Sequence, residues 1–323
     1  MIEGEDSKIG PEVENINPEF IQIAEEIGTE LKEQEDNLGL FIFGSVATRK
    51  ATEKSDLDLV LVTKKGNEEI EPKNVRNFVR ESKNVQISEV SSGQIEEDLA
   101  NFVDYRILQL RQAQIIFDKE NILGSLKEKA EKAEPSKEVI KEWLSNLEED
   151  KEDLADTEDI DAFKLNSNRA ALWALRIYLA AKGDFYEGGK TLEGQLQRNP
   201  EISDLFIPAS GLETVNLDSK EELPPLLSDK ENPWIRCAVD KLDDCQELAE
   251  RGKVLSAKMM LTDAIVYYEL FLQEEKGYAD IGECIKKDGA FRKLISDTFQ
   301  YQNKDPIFEK YQDLNNYVSR SIA

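Results

Sequence analysis

A Gly-Ser pair and two aspartates lie close enough in the chain to carry phosphate chemistry together. Gly44 and Ser45 follow the apolar run 40–43, and Asp56 and Asp58 open a second apolar run about ten residues later. Two carboxylates at positions i and i+2 of a strand project to the same face, because side chains alternate with a period of two. A Gly-Ser turn lets backbone N–H groups and a hydroxyl approach phosphate oxygens. Phosphate transfer needs both parts, a cradle for the charge and carboxylates that hold Mg²⁺ against it.

The stretch from Gly44 to Leu59 resembles the signature of the DNA polymerase β-type nucleotidyltransferase superfamily, a Gly-Ser pair followed after about ten residues by Asp-x-Asp. It is especially similar to the small-molecule nucleotidyltransferases, which include the aminoglycoside adenylyltransferases. The sequence departs from them at Arg49, where those families usually carry a second Gly. We therefore expect either a turn of different shape or a guanidinium group that reaches a phosphate.

The resemblance implies which residues would form the site and what they would hold. Asp56 and Asp58 would bind two Mg²⁺ ions and act as the catalytic carboxylates. Gly44 and Ser45 would contact the phosphates of ATP, the expected nucleotide donor. Arg49 departs from the family pattern, and its place in the loop near the phosphates predicts that it would balance their charge. Such a mechanism works by positioning groups and stabilising charge.

The superfamily usually supplies a third carboxylate from a later strand. Glu89 is the only acid in the apolar run 85–90, so it is predicted as a third catalytic residue, either a general base or a ligand of the second metal. Strict alternation places Gln86 and Ser88 on one face of that strand and Glu89 on the other. If the third position is Gln86 or Ser88 instead, the site is one acid short.

The first part of the chain predicts an α+β nucleotidyltransferase domain, a small mixed sheet with flanking helices. The hydrophobic pattern places four strands in it, at 40–43, 57–63, 85–90 and 114–117. Helices are predicted to begin at Asn17, ahead of Pro18, and to cover 71–82 and 94–110.

A boundary near 133–136 divides the chain into a flexible segment at 1–16, a nucleotidyltransferase domain at 17–134 and an all-α bundle at 135–323. The strongest helix of the bundle is predicted at 161–182, and 282–321 reads as two further helices. The bundle resembles the helical C-terminal domain of the small-molecule nucleotidyltransferases, which implies a substrate-binding role. By that resemblance Lys190, which follows two glycines, would contact the nucleotide.

The amino-acid composition excludes several catalytic mechanisms and some classes of partner. The 323 residues carry 67 acids, 41 bases and no histidine, for a net charge of −26. The missing histidine excludes Ser-His and Cys-His triads and any His general base. The net negative charge argues against a nucleic-acid partner and favours a cationic acceptor. With no apolar run long enough to span a membrane and no secretory signal, the sequence predicts a cytoplasmic protein without a membrane partner; a homodimer is compatible with it.

These features lead to one expected function and two alternatives. The expected function is Mg²⁺-dependent transfer of AMP from ATP to the hydroxyl of a small-molecule acceptor, with an aminoglycoside-like antibiotic as the specific expectation. One alternative is transfer of AMP to a protein. The other is a nucleotide-binding or interaction protein whose catalytic site has decayed. Two features support it: Arg49 replaces the usual second Gly, and the third position is an acid only if it is Glu89.

Overall fold

A five-stranded mixed sheet forms the centre of the first part of the chain. The computed structural model describes residues 17–53, 55–64, 75–228 and 232–322. The strands are β1 (Asn37–Phe43), β2 (Leu57–Thr63), β3 (Val75–Arg80), β4 (Lys83–Ser91) and β5 (Gln114–Asp118). Their order in the sheet is β3-β4-β2-β1-β5, and only β2 and β4 run parallel. The predicted flexible segment at 1–16 lies outside the described residues.

Within the described residues up to Ala133, five helices accompany the sheet: α1 (Asn17–Lys32), α2 (Gly44–Ala47), α3 (Ser92–Ala100), α4 (Asp104–Gln112) and α5 (Ile122–Glu131). One face of the sheet packs against α1 through a core that includes Phe20, Ile23, Leu40, Leu59 and Ile87. Ion pairs from Arg80 to Glu26 and Glu30 of α1 border the same face. Asp58 alternates with Leu57 and Leu59, so its side chain projects to the opposite face.

Two predictions for this region are wrong in detail. The predicted helix at 71–82 is strand β3 in its described part, because Glu81 and Ser82 both take positive φ and turn the chain directly into β4. That two-residue turn usually needs Asn or Gly, so nothing in the sequence marked it. The predicted helix at 94–110 is two helices, separated at Phe102, which is buried with φ +52°.

The chain divides into two compact units, Met1–Ala133 and Glu134–Ala323. The second unit is helical, which confirms the predicted all-α fold of this part of the chain. Its helices are α6 (Lys137–Asp156), α7 (Ile160–Ala181), α8 (Leu192–Arg198), α9 (Pro200–Ser210), α10 (Pro233–Glu250), α11 (Val254–Lys276), α12 (Ile281–Lys287), α13 (Gly289–Thr298) and α14 (Asp305–Ile322). The tail thus holds three helices where two were predicted.

Helix α7 lies at the centre of the second unit, with contacts to α6, α9, α13 and α14. The Ser136 hydroxyl caps α6 by accepting a hydrogen bond from the Val139 amide at 3.2 Å. The three cysteines are unbridged, and Cys245 and Cys284 are buried. No helix in the described part of the chain is long and apolar enough to cross a membrane.

Candidate functional site

The turn after β1 is a short helical loop that glycine makes possible. Gly44 has φ +71°, in the left-handed region that costs a residue with a Cβ atom about 1–2 kcal/mol. The Thr48 hydroxyl donates to the Gly44 carbonyl at 2.8 Å, and the Lys50 amide donates to the Ser45 carbonyl at 2.8 Å. These bonds hold the Gly44–Ser45 turn in a fixed shape at the end of β1.

Arg49 takes the backbone conformation that a glycine would take more easily. Its φ is +59°, and its amide donates to the Val46 carbonyl at 3.1 Å. The backbone of the turn is therefore left-handed at the position where the families that the sequence resembles usually carry Gly, although the residue here is Arg. The exposed guanidinium group is compatible with a role at a phosphate, and that role stays a prediction.

Asp56 and Asp58 lie beside this turn. In the β1–β2 ladder Asp58 is opposite Phe43, which immediately precedes Gly44. A Cβ atom placed on Gly44 would be 3.0 Å from Oδ2 of Asp58. The close approach of this carboxylate therefore depends on the missing side chain of Gly44. Just before Asp56, the Ser55 hydroxyl accepts a hydrogen bond from the Thr52 amide at 2.8 Å and closes the loop.

Gln86, and not Glu89, shares the face of these aspartates. Strands β2 and β4 run parallel with Asp58 opposite Gln86, so the two side chains project to the same side of the sheet. The Gln86 amide nitrogen donates to Oδ2 of Asp56 at 3.4 Å. An amide thus occupies the position next to the aspartates on the neighbouring strand.

The assignment of Glu89 as the third carboxylate does not fit this geometry. Glu89 is opposite Leu61, which puts its side chain on the α1 face of the sheet, away from Asp58. There its carboxylate pairs with Arg76 of β3 at 2.7 Å. A group on the far side of the sheet cannot act on a substrate held by Asp56 and Asp58, so Glu89 is corrected to a structural ion pair.

The aspartates have the donor type that Mg²⁺ prefers. Mg²⁺ takes oxygen ligands and is commonly held by one or two carboxylates together with substrate phosphates. Asp56 and Asp58 meet that requirement, and both side chains are partly accessible. Among the described residues, no group of three or more Asp, Glu, Cys or His side chains converges in a way that could hold a metal ion. A metal here would depend on two carboxylates and on the phosphates of a ligand.

Lys190 belongs to the second unit. It lies in a 3₁₀ turn, Gly189–Thr191, and its ammonium group pairs with Asp244 of α10 at 2.7 Å. Gly188 has φ +100°, and a Cβ atom on Gly189 would overlap the side chain of Met260 on α11. The glycines therefore allow the turn to pack against α11, and nucleotide contact by Lys190 stays a prediction.

The structure also identifies a site residue that the sequence reasoning missed. Thr48 anchors the Gly44–Ser45 turn through its hydroxyl. The available signal was a Thr four residues after a predicted turn, a spacing at which the hydroxyl can bond the earlier carbonyl.

Comparison with known proteins agrees with the geometry of the first unit. Residues 24–125 match the family model described as the nucleotidyltransferase domain. No curated protein matches the chain. A solved structure from Exiguobacterium sibiricum 255-15, described as a nucleotidyltransferase-like protein, is 14% identical over 86% of this chain and 87% of its own, with a TM-score of 0.38. That score is too low to carry an argument. Residues 24–125 are thus similar to a nucleotidyltransferase domain, which supports nucleotidyl transfer as the general activity.

Proposed function

We propose that this protein transfers AMP from ATP to a hydroxyl group of a small-molecule acceptor. The observation that carries the proposal is the placement of Asp58 against Gly44, with a carboxylate oxygen 3.0 Å from the position of the missing Cβ atom. This arrangement supports the proposal because it brings a carboxylate beside a turn whose backbone N–H groups could receive phosphates. The matching family model over residues 24–125 supports the same class of reaction.

Each site residue has a part in the proposal. Backbone N–H groups and the hydroxyl of Ser45 would bind the terminal phosphates of ATP in the Gly44–Ser45 turn. Asp56 and Asp58 would hold Mg²⁺. The bound ion would supply positive charge that orients the triphosphate and stabilises the leaving pyrophosphate. Arg49, exposed at the end of the turn, would add positive charge at the phosphates.

The reaction also needs an acceptor for the proton of the attacking hydroxyl. The oxygen of the attacking hydroxyl would form a bond to the α-phosphorus of ATP while the bond between that phosphorus and pyrophosphate breaks. Gln86 cannot take the proton, because a neutral amide is not a useful base near pH 7. The proton would therefore leave to another carboxylate, to solvent or to an amine of the acceptor itself. The net charge of −26 favours an acceptor that carries amines.

We further propose that the helical unit, residues 134–323, binds the acceptor and that Lys190 contacts the nucleotide. The support is the resemblance of the Gly-Gly-Lys segment to that of the small-molecule nucleotidyltransferases. Lys190 pairs with Asp244 in the free protein, and nucleotide binding would then replace that pair with a phosphate contact.

The amide side chain of Gln86 favours one alternative function, in which the protein binds ATP and Mg²⁺ without transferring AMP. The amide occupies the position opposite Asp58 at which the third carboxylate would be expected. Such a protein would keep the cradle and the two aspartates and would lack the base.

A transfer assay separates the two candidates. The protein is incubated with Mg²⁺ and ATP labelled at the α-phosphate, with a panel of hydroxylated acceptors that includes aminoglycosides. We expect label on an acceptor and a loss of at least about 100-fold in the variant carrying Asp56→Asn and Asp58→Asn. A variant carrying Glu33→Gln and Glu53→Gln removes the same charge from exposed positions and should keep full activity.

Each result of this transfer assay points to a different function. Transfer that survives loss of both aspartates would refute the metal assignment. Binding of ATP without transfer to any acceptor would favour the non-catalytic candidate. Label on the protein itself or on another protein would replace the small acceptor with a protein substrate.

A further inference from the structure

One face of the β3–β4 hairpin carries amide side chains and lies beside the two aspartates. The strands are antiparallel, with Asn77 opposite Gln86 and Val79 opposite Asn84. Gln86 is in turn opposite Asp58 of β2. Side chains that are opposite one another in a sheet project to the same side, so this face of the hairpin continues the face that carries Asp58. We define the amide face by these residues of the hairpin: Asn77, Val79, Asn84, Gln86 and Ser88.

The charged side chains of the two strands all project to the other face, toward α1. They are Arg76, Arg80, Lys83 and Glu89. Arg76 pairs with Glu89 at 2.7 Å, and Lys83 pairs with Glu19 of α1 at 3.4 Å. Charged residues make up 33% of the chain, so an uncharged polar face is unlike the rest of this protein. The amide face can form an ion pair with neither a phosphate nor an ammonium group, and it suits a neutral polar ligand.

The amides of this face have hydrogen-bonding capacity that the fold does not use. Asn77 and Asn84 are exposed, and neither side chain makes a hydrogen bond within the described part of the chain. Gln86 donates its amide nitrogen to Oδ2 of Asp56 at 3.4 Å. A carboxylate can only accept, so this bond directs the carbonyl oxygen of Gln86 away from Asp56. Each amide both donates and accepts hydrogen bonds, which matches a hydroxyl group.

Val79 adds an apolar surface between the amides. Its side chain is 68% exposed, which is unusual for a valine in a strand. It is opposite Asn84 and two residues from Asn77 on the same face. A sugar ring has C–H groups on its flat sides and hydroxyl groups around its edge. Such a ring would pack on Val79 while the neighbouring amides bind its hydroxyls.

The amide face lies on the side from which an acceptor would approach. The Gly44–Ser45 turn follows β1, on one side of Asp58, whereas β4 and β3 lie on its other side in the sheet. In an in-line displacement the attacking oxygen enters opposite the leaving group. If pyrophosphate leaves toward the Gly44–Ser45 turn, the acceptor hydroxyl enters from the side of β4. Neighbouring strands are about 4.8 Å apart, so Asn77 lies roughly 10 Å from Asp58 along this path.

We propose that the amide face binds the acceptor through the neutral hydroxyls of a sugar ring, with Asn77 and Asn84 as specificity-determining residues. The attacked hydroxyl would lie at the aspartates, and other hydroxyls of the acceptor would lie over the amides. This inference rests on the proposed function, because the direction of approach follows from in-line transfer. Adenine is the competing ligand, since amides also pair with its edge. The position of the face, opposite the turn that would hold the leaving group, favours the acceptor.

Calorimetric titration of the full-length protein with kanamycin B, an aminoglycoside, tests the proposal. Mg²⁺ and α,β-methylene-ATP, which cannot transfer AMP, are present throughout. The variant carrying Asn77→Ala and Asn84→Ala should bind kanamycin B at least about tenfold more weakly, because hydrogen bonds to hydroxyls are lost. Its Kd for α,β-methylene-ATP should equal that of wild type. Arg76→Gln is the matched control: it changes the residue next to Asn77 on the α1 face and should leave both Kd values unchanged.

The same titrations at low and at high salt identify what the amide face recognises. The ratio of the Kd of the double variant to that of wild type should not change with salt, because hydrogen bonds between neutral groups are not screened. A ratio that disappears at high salt would refute recognition of neutral hydroxyls. Equal binding of kanamycin B by wild type and the double variant, or binding by neither, would overturn the proposal. Weaker binding of α,β-methylene-ATP in the double variant would assign the face to the nucleotide and would also overturn it.

The transfer assay with labelled ATP decides the proposed function separately. Weaker binding of kanamycin B in the double variant, without transfer by wild type to any acceptor, would support the amide face and refute the activity. Transfer by wild type with unchanged binding of kanamycin B in the double variant would support the activity and refute the role of the amide face.

Discussion

Replacing Gly44 with alanine should damage the site far more than it damages the fold. The change has two physical effects. First, φ is +71° at this position, and a residue with a Cβ atom pays about 1–2 kcal/mol to remain there. Second, the new Cβ atom would be 3.0 Å from Oδ2 of Asp58, so the carboxylate must move by a few tenths of an ångström. The first effect concerns stability and the second concerns the metal-binding geometry.

The size of the activity loss follows from that displacement. Because a misplacement of about 1 Å can cost about 100-fold in rate, a shift of roughly half that size should lower kcat/KM by about tenfold. The free energy of unfolding should fall by about 1–2 kcal/mol. The two quantities are measured by denaturant unfolding and by transfer of labelled AMP at saturating Mg²⁺.

The chain provides a matched control at Gly252. Its φ is +73°, nearly equal to that of Gly44, and a Cβ atom there would meet nothing within 4 Å. Gly252→Ala should therefore lose a similar free energy of unfolding and keep full activity. Equal activity in Gly44→Ala and Gly252→Ala, at equal loss of stability, would refute the argument that Gly44 makes room for Asp58.

Three further predictions concern single residues. Gln86→Glu places a carboxylate opposite Asp58 and should raise AMP transfer at least about tenfold, whereas Glu89→Gln, on the α1 face, should leave transfer unchanged. Arg49→Gly relieves φ +59° and should raise the free energy of unfolding by up to about 1 kcal/mol, and weaker ATP binding in the same variant would show that the guanidinium contacts phosphate. Burial and repulsion from Asp153 and Glu149 raise the pKa of Asp150 to about 6 in the folded state, so its cost to stability is absent below about pH 4, grows as pH rises to about 6 and is constant above. Solvent partly screens this carboxylate, so Asp150→Asn should raise the free energy of unfolding by only about 1–2 kcal/mol at pH 8, and by almost nothing at pH 4, as measured by denaturant unfolding at each pH.

The sequence contained the local parts of the candidate site. Gly44, Ser45, Asp56 and Asp58 are near one another in the chain, and the apolar runs beside them predicted β1 and β2. Local spacing was enough here because a turn and its flanking strands determine which side chains meet. The buried pattern of 161–182 likewise predicted α7 almost to its ends.

The third acid could not be found in the same way. Alternation along β4 separated Gln86 from Glu89 correctly, but it could not tell which of them faces Asp58. That depends on the register between β2 and β4, which is set by packing between segments far apart in the chain. Residue type then favoured Glu89, and the register places it on the wrong face.

Backbone conformations without a sequence signal account for the other differences. Glu81 and Ser82 adopt a turn usually made by Asn and Gly, which hid the β3–β4 hairpin. Phe102 takes positive φ while its ring is buried, which hid the break between α3 and α4. In both places tertiary packing offsets the local preference, and residue propensities do not report it.

Mg²⁺-dependent binding of ATP tests the central claim most directly, because it concerns the turn and the two aspartates before any question of catalysis. The measurement is the Kd for ATP by calorimetry, with and without Mg²⁺, for wild type and for Asp58→Asn. We predict that Mg²⁺ tightens binding to wild type at least about tenfold and has little effect on Asp58→Asn. The same dependence on Mg²⁺ in both proteins would contradict the account.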